Sequence, residues 1–145
     1  MTKLDADTIE AIRKIKVAEY TESQIYRNLA GMEKKVHNKE CLMRISADEM
    51  SHFQKWCLHV PGEVKPDSFK IMKYSLIAKV LGLTFAIKLM ERNEKAAILD
   101  YSLISKVVPE AEKIQAEEEA HEMELINMID EERLKYIGSI VLGLN

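Results

Sequence analysis

Two motifs, Glu49-x-x-His52 and Glu118-x-x-His121, place an imidazole three positions after a carboxylate. Each motif lies in a stretch whose apolar residues repeat with the period of an α-helix, and residues three apart on a helix share one face. In both stretches that face is the apolar one. Because a carboxylate is costly to bury without a compensating charge, the motifs predict metal ligands in the core of a helical protein.

Two further glutamates are expected on the inner faces of the other helices. Glu94 falls near the centre of an apolar stripe in the third helical segment, whereas Glu19 and Glu22 both fall on or beside the stripe of the first helix. Periodicity does not choose between Glu19 and Glu22. The two halves of the chain repeat one spacing, since Glu19 precedes Tyr26 by seven residues and Glu94 precedes Tyr101 by seven. This repeat favours Glu19 and Glu94 as counterparts.

The charges of this set predict a pair of metal ions. Four glutamates carry four negative charges, which two divalent cations would balance. Carboxylate and imidazole ligands without thiolate suit iron or manganese, and zinc less well. A pair of such ions, iron or manganese, can take up one electron each, which matches the two-electron reduction of dioxygen or peroxide. We therefore expect two iron ions, with manganese or zinc as substitutes, bound by Glu19, Glu49, His52, Glu94, Glu118 and His121.

Different roles are expected within the set. Glu49 and Glu118 are the expected bridges between the ions, and the two histidines are the expected terminal ligands. Tyr26 and Tyr101 share faces with the helix-one and helix-three glutamates, so their hydroxyls are candidates to hydrogen-bond the ligands. Additional carboxylates near these faces, which would add or exchange ligands, are Glu22, Glu91 and Glu122.

The elements that carry these residues are predicted to be helices. Glycine and proline number only 5 and 3 in 145 residues, which favours an all-α chain. Asp7 or Thr8 is the expected N-cap of the first helix, and Pro109 is expected in the first turn of the last. The predicted helical segments are about 8–36, 39–58, 68–107 with a kink or restart at Gly82, and 109–132.

The connections predict a four-helix bundle. Short turns at both ends of the chain favour two antiparallel helix hairpins, and the roughly twenty residues at 60–82 are enough to cross the bundle. A long crossover between two hairpins is the ferritin-like arrangement. We expect one domain over residues 1–145, with the bundle at about 8–132 and an apolar tail at 134–145.

Charge and composition argue against some classes of binding partner. A net charge of −3 gives no electrostatic case for nucleic acid. No apolar run is long enough to span a membrane, and the two cysteines, Cys41 and Cys57, are too far apart on one predicted helix to form a disulfide. The expectation is a reduced, cytoplasmic chain. The exposed apolar tail favours a homodimer.

Over about residues 10–130 the sequence resembles the rubrerythrin branch of the ferritin-like di-iron carboxylate superfamily, on the pattern Glu19…Tyr26, Glu49-x-x-His52, Glu94…Tyr101 and Glu118-x-x-His121. The resemblance implies that the glutamates of helices one and three and both Glu-x-x-His pairs bind iron. No Cys-x-x-Cys pair is encoded, so the rubredoxin module of a rubrerythrin proper is not in this sequence. Residues 84–91 and 136–145 are also similar to the ferritin-like domain fused to membrane domains of the vacuolar iron transporter type.

These resemblances imply an oxidoreductase that reduces peroxide or oxidises ferrous iron with dioxygen, its electron donor unidentified. The alternative is a module without turnover that binds, senses or delivers iron in connection with metal transport. Reversible ferrous binding with no oxidation would distinguish the second function from the first.

Overall fold

A computed structural model describes residues 4–97 and 104–129, with only the backbone described at 93–97. Within these ranges the secondary structure is helical and contains no strand, which confirms the all-α prediction for this part of the chain. The helices are α1 (Ala6–Met32), α2 (Val36–His59), α3 (Ser68–Leu81), α4 (Leu83–Ala97) and α5 (Glu110–Met128).

The first helix begins and ends earlier than predicted. Asp5 is the N-cap, because its carboxylate accepts a hydrogen bond from the Thr8 backbone N–H at 2.7 Å; Asp7 and Thr8 lie inside the helix, so both predicted caps were wrong. At the other end, Glu33 adopts an extended conformation and its carboxylate accepts from the Lys35 N–H at 3.0 Å. This local turn lets α2 start at Val36, three residues before the predicted start.

The third predicted segment is divided at Gly82. Asp67 caps α3, because its carboxylate accepts a hydrogen bond from the Lys70 backbone N–H at 3.0 Å. Gly82 has a φ of 101°, which side chains disfavour, and α4 begins at the next residue. The predicted restart is therefore confirmed. The prediction that one apolar stripe runs along the whole third segment was wrong. Val80, before the break at Gly82, is 70% exposed, whereas Met90, after it, is fully buried.

The segment before the last helix is also shorter than predicted. Val107 and Val108 both donate backbone hydrogen bonds to the Ile104 carbonyl, and residues 105–107 form a turn, so the helix does not continue to 107. Pro109 occupies the N-cap of α5, next to its predicted place in the first turn. The helix ends at Met128 rather than near residue 132, with Ile129 in an extended conformation.

Side-chain contacts define the helix directions. Lys16 of α1 donates to the carbonyls of Val60 and Gly62 after α2, while Ser23 of α1 bonds to Ser46, so α1 and α2 are antiparallel. Helices α2 and α5 are antiparallel too, because residues further along α2 contact residues that come earlier in α5. The contacting pairs in order along α2 are Arg44 with Glu124, Asp48 with His121 and His59 with Glu110.

Helix α3 runs parallel to α1. Thr21 accepts a hydrogen bond from the Asp67 backbone N–H at 2.9 Å. About two turns further along both helices, the side-chain amide of Asn28 lies 3.5 Å from the Ser75 hydroxyl. After α3 the chain reverses at Gly82 into α4, which packs against α3 and α5. The described helices thus form a closed ring of neighbours in the order α1, α2, α5, α4, α3.

Two apolar clusters fill the interior and leave a polar layer between them. The upper cluster includes Ile25, Tyr26, Leu29, Ile45, Met90 and Leu125. The lower cluster includes Ile12, Trp56, Val60, Val108, Ala111 and Ile114. Along each of α1, α2 and α5 the sequence passes from one cluster to the other, and the glutamates and histidines of interest lie in between.

None of the described helices is both long and apolar enough to cross a bilayer. The apolar tail at 134–145, on which the dimer prediction depended, lies outside the described residues.

Candidate metal centre

Three helices carry the acidic and imidazole side chains of the polar layer. Glu19 projects from α1, Glu49 and His52 from α2, and Glu118 and His121 from α5, and none is more than 2% exposed. Their spacing of three residues within α2 and within α5 keeps each glutamate and histidine on one helix face. The inward orientation predicted from the helical period is therefore what the structure has at these five positions.

Four of these side chains meet at one point. Glu19, Glu49, His52 and Glu118 each offer one ligand atom, and these atoms all lie within 4.8 Å of one another. Three carboxylates and an imidazole within this distance, shielded from water, form a donor set that could hold a metal ion. In the part of the chain that the structure describes, this is the group whose geometry suits a metal ion.

His52 is surrounded by carboxylates. Its Nδ1 donates to Glu118 Oε1 at 3.0 Å and lies 3.5 Å from Glu19 Oε2 and 4.0 Å from Glu49 Oε1. Its Nε2 donates to Glu117 in a short hydrogen bond. The Nδ1 atom therefore faces the interior of the cluster, and Nε2 faces its rim.

His121 repeats this arrangement from the opposite helix. Its Nδ1 lies 2.9 Å from Glu49 Oε1 and 3.8 Å from Glu118 Oε2, and its Nε2 donates to Asp48 Oδ2 at 2.9 Å. The rings of His52 and His121 are roughly parallel, 26° apart, with centroids separated by 6.0 Å. Glu49 and Glu118 consequently each lie within 4.0 Å of both imidazoles.

The two motifs are thus related by a local twofold repeat that extends one residue beyond them. Each histidine contacts the glutamate of the opposite motif through Nδ1 and the acidic residue just before that glutamate through Nε2. The outer carboxylates are Asp48 and Glu117, whose side chains are 37% and 33% exposed. A carboxylate on the far nitrogen fixes the orientation of an imidazole and makes it a better metal ligand.

Sequence reasoning missed these two outer carboxylates. Neither Asp48 nor Glu117 is among the residues that the sequence analysis proposed as ligands or as partners of the ligands. The signal was present, because an acidic residue precedes each motif glutamate, giving Asp48-Glu49-x-x-His52 and Glu117-Glu118-x-x-His121. Only the antiparallel packing of α2 on α5 shows which histidine each acidic side chain hydrogen-bonds.

The carboxylates favour protonated imidazoles. Burial of His52 disfavours its charged form, but hydrogen bonds to Glu118 and Glu19 outweigh burial and raise its pKa to about 10. Burial opposes protonation of His121 as well, whereas Glu118 and Asp48 favour it, and its pKa is also raised. In the metal-free protein the two imidazolium ions therefore offset part of the buried negative charge, a compensation that the sequence-based argument for metal did not include.

The additional carboxylates differ in their surroundings. Glu22 is 7% exposed; burial, followed by repulsion from Glu118 and Glu19, raises its pKa to about 8, so its proton is retained near neutral pH. It lies beside the four-residue group but is not part of it, which distinguishes it from Glu19. Glu91 is buried on α4 with Lys88 Nζ 3.2 Å from its carboxylate, and Glu122 is half-buried on α5.

The roles of three other predicted residues at the metal-ligand group stay predictions. Tyr26 is fully buried in the upper apolar cluster, and its proposed hydrogen bond to the ligands stays a prediction. Glu94 lies on α4, where the structure describes the backbone alone, and Tyr101 lies outside the described residues. The role of Glu94 as a fourth carboxylate ligand therefore stays a prediction.

Searches of protein-family models, of curated proteins and of solved structures found no match for this chain. Assignment of the site therefore depends on its donor atoms. Three buried carboxylates and one imidazole at mutual ligand distance could hold a metal ion. Neither cysteine joins this group, so it is not a zinc site built on thiolate.

Proposed function

We propose that this chain is a di-iron carboxylate protein of the ferritin-like type, with oxidoreductase activity toward peroxide or toward ferrous iron and dioxygen. The observation that carries the proposal is the position of Glu49 and Glu118, each within 4.0 Å of both His52 and His121. Two carboxylates shared by two imidazoles are what a pair of cations with common carboxylate ligands requires.

The helix directions support the ferritin-like topology. Helices α1 and α2 form one antiparallel hairpin, and α3 returns parallel to α1 before the chain reverses at Gly82. Helix α3 thereby fills the place of the crossover between two hairpins, the second made of α4 and α5. In this proposal the crossover, predicted at 60–82, comprises the loop after α2, α3 and Gly82.

The proposed ligands are Glu19, Glu49, His52, Glu118 and His121, with Glu94 the sixth from α4. Bound iron supplies the one-electron steps that amino-acid side chains lack. The protein holds each imidazole by its Nε2 hydrogen bond, so that Nδ1 faces the cluster, and the apolar clusters above and below keep bulk water from the carboxylates.

Anaerobic titration with ferrous iron, followed by addition of dioxygen or of peroxide, tests the proposal. We expect about two iron ions bound per chain, and the rapid appearance of ferric absorbance with one of the oxidants. Glu118→Gln should lower bound iron and slow oxidation at least tenfold, because it removes a proposed shared ligand. Glu119→Gln is the matched control, since Glu119 is exposed on the next position of α5.

The outcomes separate two functions. Ferrous binding that depends on Glu118 but is followed by no oxidation with either oxidant would contradict the oxidoreductase assignment and favour an iron-binding or iron-delivery module. Equal iron binding by the Glu118→Gln and Glu119→Gln variants would contradict the metal site itself.

A further inference from the structure

Helix α3 presents an exposed apolar ridge made of Phe69, Met72, Leu76 and Val80. These side chains are between 58% and 70% exposed. At about 100° per residue they fall within an arc of about 80° on the helix. The opposite side of the same helix packs on the protein through Tyr74 and Ala78. Since neighbouring large apolar side chains are seldom left in water over such a length, the ridge indicates a docking surface.

The charged side chains of α3 itself have one sign. From Ser68 to Met90 the sequence contains lysines but no aspartate or glutamate, although the whole chain carries a net charge of −3. Lys73 and Lys79 are exposed on α3 and project on either side of the apolar arc. Long lysine side chains beside an apolar face can extend toward anionic groups while the apolar residues insert between them.

We propose that the α3 ridge docks on an anionic lipid bilayer. Phe69, Met72, Leu76 and Val80 would enter the boundary between headgroups and acyl chains, and Lys73 and Lys79 would contact lipid phosphates and carboxylates. An amphipathic helix with apolar residues on one face and lysines at its borders binds membranes by these two contributions. Docking of this kind leaves α3 parallel to the membrane and crosses no bilayer, in keeping with its 14 residues.

The lysines also argue against the ridge of a second copy as the occupant. If two α3 helices packed ridge to ridge, Lys73 and Lys79 of each would approach a surface with no acidic residue on α3 to pair with. Like charges across a contact of this size oppose association. A negatively charged lipid surface meets the same lysines with attraction.

Flotation of the full chain with lipid vesicles tests the proposal. We expect binding to phosphatidylcholine vesicles that contain about 30% phosphatidylserine, little binding to pure phosphatidylcholine, and weakening in about 0.5 M salt, which screens charges beyond a few ångström. The Phe69→Ser/Leu76→Ser variant should lower the partition coefficient about tenfold or more. Lys73→Glu/Lys79→Glu should lower it by a similar factor.

Matched controls alter comparable residues elsewhere on the surface. Leu58→Ser removes an apolar side chain that is 81% exposed on α2, and Lys14→Glu/Lys39→Glu reverses two exposed lysines of α1 and α2. Both controls should bind vesicles as the unaltered chain does, and circular dichroism verifies that all variants remain helical. Equal binding to neutral and anionic vesicles, or none to either, would overturn the proposal. A concentration-dependent dimer that is abolished by Phe69→Ser/Leu76→Ser, with no vesicle binding, would instead assign the ridge to a second copy.

Discussion

At the scale of single residues, the most informative feature is the double hydrogen bonding of each histidine. A metal ligand must present one nitrogen without its proton, and the partner of the other nitrogen decides which one that is. Asp48 on His121 and Glu117 on His52 both select Nδ1 as the nitrogen directed at the cluster. These outer acids are positioning residues in the proposed centre.

Replacement of Asp48 tests this role. Asp48→Ala removes the acceptor of the His121 Nε2 proton, so we expect iron affinity to fall about 10- to 100-fold with the helical fold intact. Asp48→Asn keeps an acceptor oxygen and should recover part of the loss. Glu40→Ala, at an exposed position of the same helix, is the control and should bind iron normally. Normal affinity in Asp48→Ala would show that His121 needs no outer partner.

The raised pKa of His52 predicts how the metal-free protein responds to pH. A group whose pKa rises on folding stabilises the folded state fully below its ordinary value of 6.5, and the contribution is lost as pH rises through the folded-state value of about 10. With metal removed by a chelator, urea unfolding should therefore give lower stability at pH 10 than at pH 7. In His52→Gln this part of the decline should disappear. An identical pH dependence in both proteins would contradict the protonated imidazole.

At the scale of elements, Gly82 joins α3 to α4. Its φ of 101° and ψ of 157° lie in a region that is nearly restricted to glycine. Gly82→Ala should lower the free energy of unfolding by about 1–3 kcal/mol, measured by urea denaturation. Gly31 offers a matched control, because it lies inside α1 with nothing within 4 Å of an added Cβ. Gly31→Ala should be neutral or stabilising by up to about 1 kcal/mol, and equal losses in both variants would contradict strain at Gly82.

Helical periodicity predicted some of these elements well and others poorly, for physical reasons. Glu49, His52, Glu118 and His121 were oriented correctly because each is flanked on its own helix by residues that pack in the two clusters. Helix boundaries were predicted less accurately where several nearby side chains could cap the helix. At the start of α1 the cap is Asp5, whereas Asp7 or Thr8 was predicted. The repeated spacing in the two halves of the sequence favoured Glu19 over Glu22, and Glu19 is the one that joins the group. The pairing of each histidine with an outer acid depends on contacts between helices, which no single-helix pattern contains.

At the scale of the whole molecule, the polar layer separates two apolar clusters that the same helices share. Glu19, Glu49, His52, Glu118 and His121 bring α1, α2 and α5 together at mid-height, with like charges facing one another. In the metal-free state the protonated imidazoles relieve only part of this repulsion. A bound cation would hold the three helices together, so occupancy of the site should control the stability of the entire fold.

Thermal unfolding with and without metal measures this coupling. An ion that binds the folded state alone stabilises it by about 4 kcal/mol at a thousand times its dissociation constant, so the melting temperature of metal-free protein should rise with added ferrous iron or manganese. The rise should be much smaller in Glu118→Gln, which lacks a proposed shared ligand, and unchanged in Glu119→Gln, whose side chain is exposed. Because both variants lose one negative charge from adjacent positions of α5, a general effect of net charge would move them equally. An equal shift in the two variants would therefore place the stabilising metal outside the polar layer.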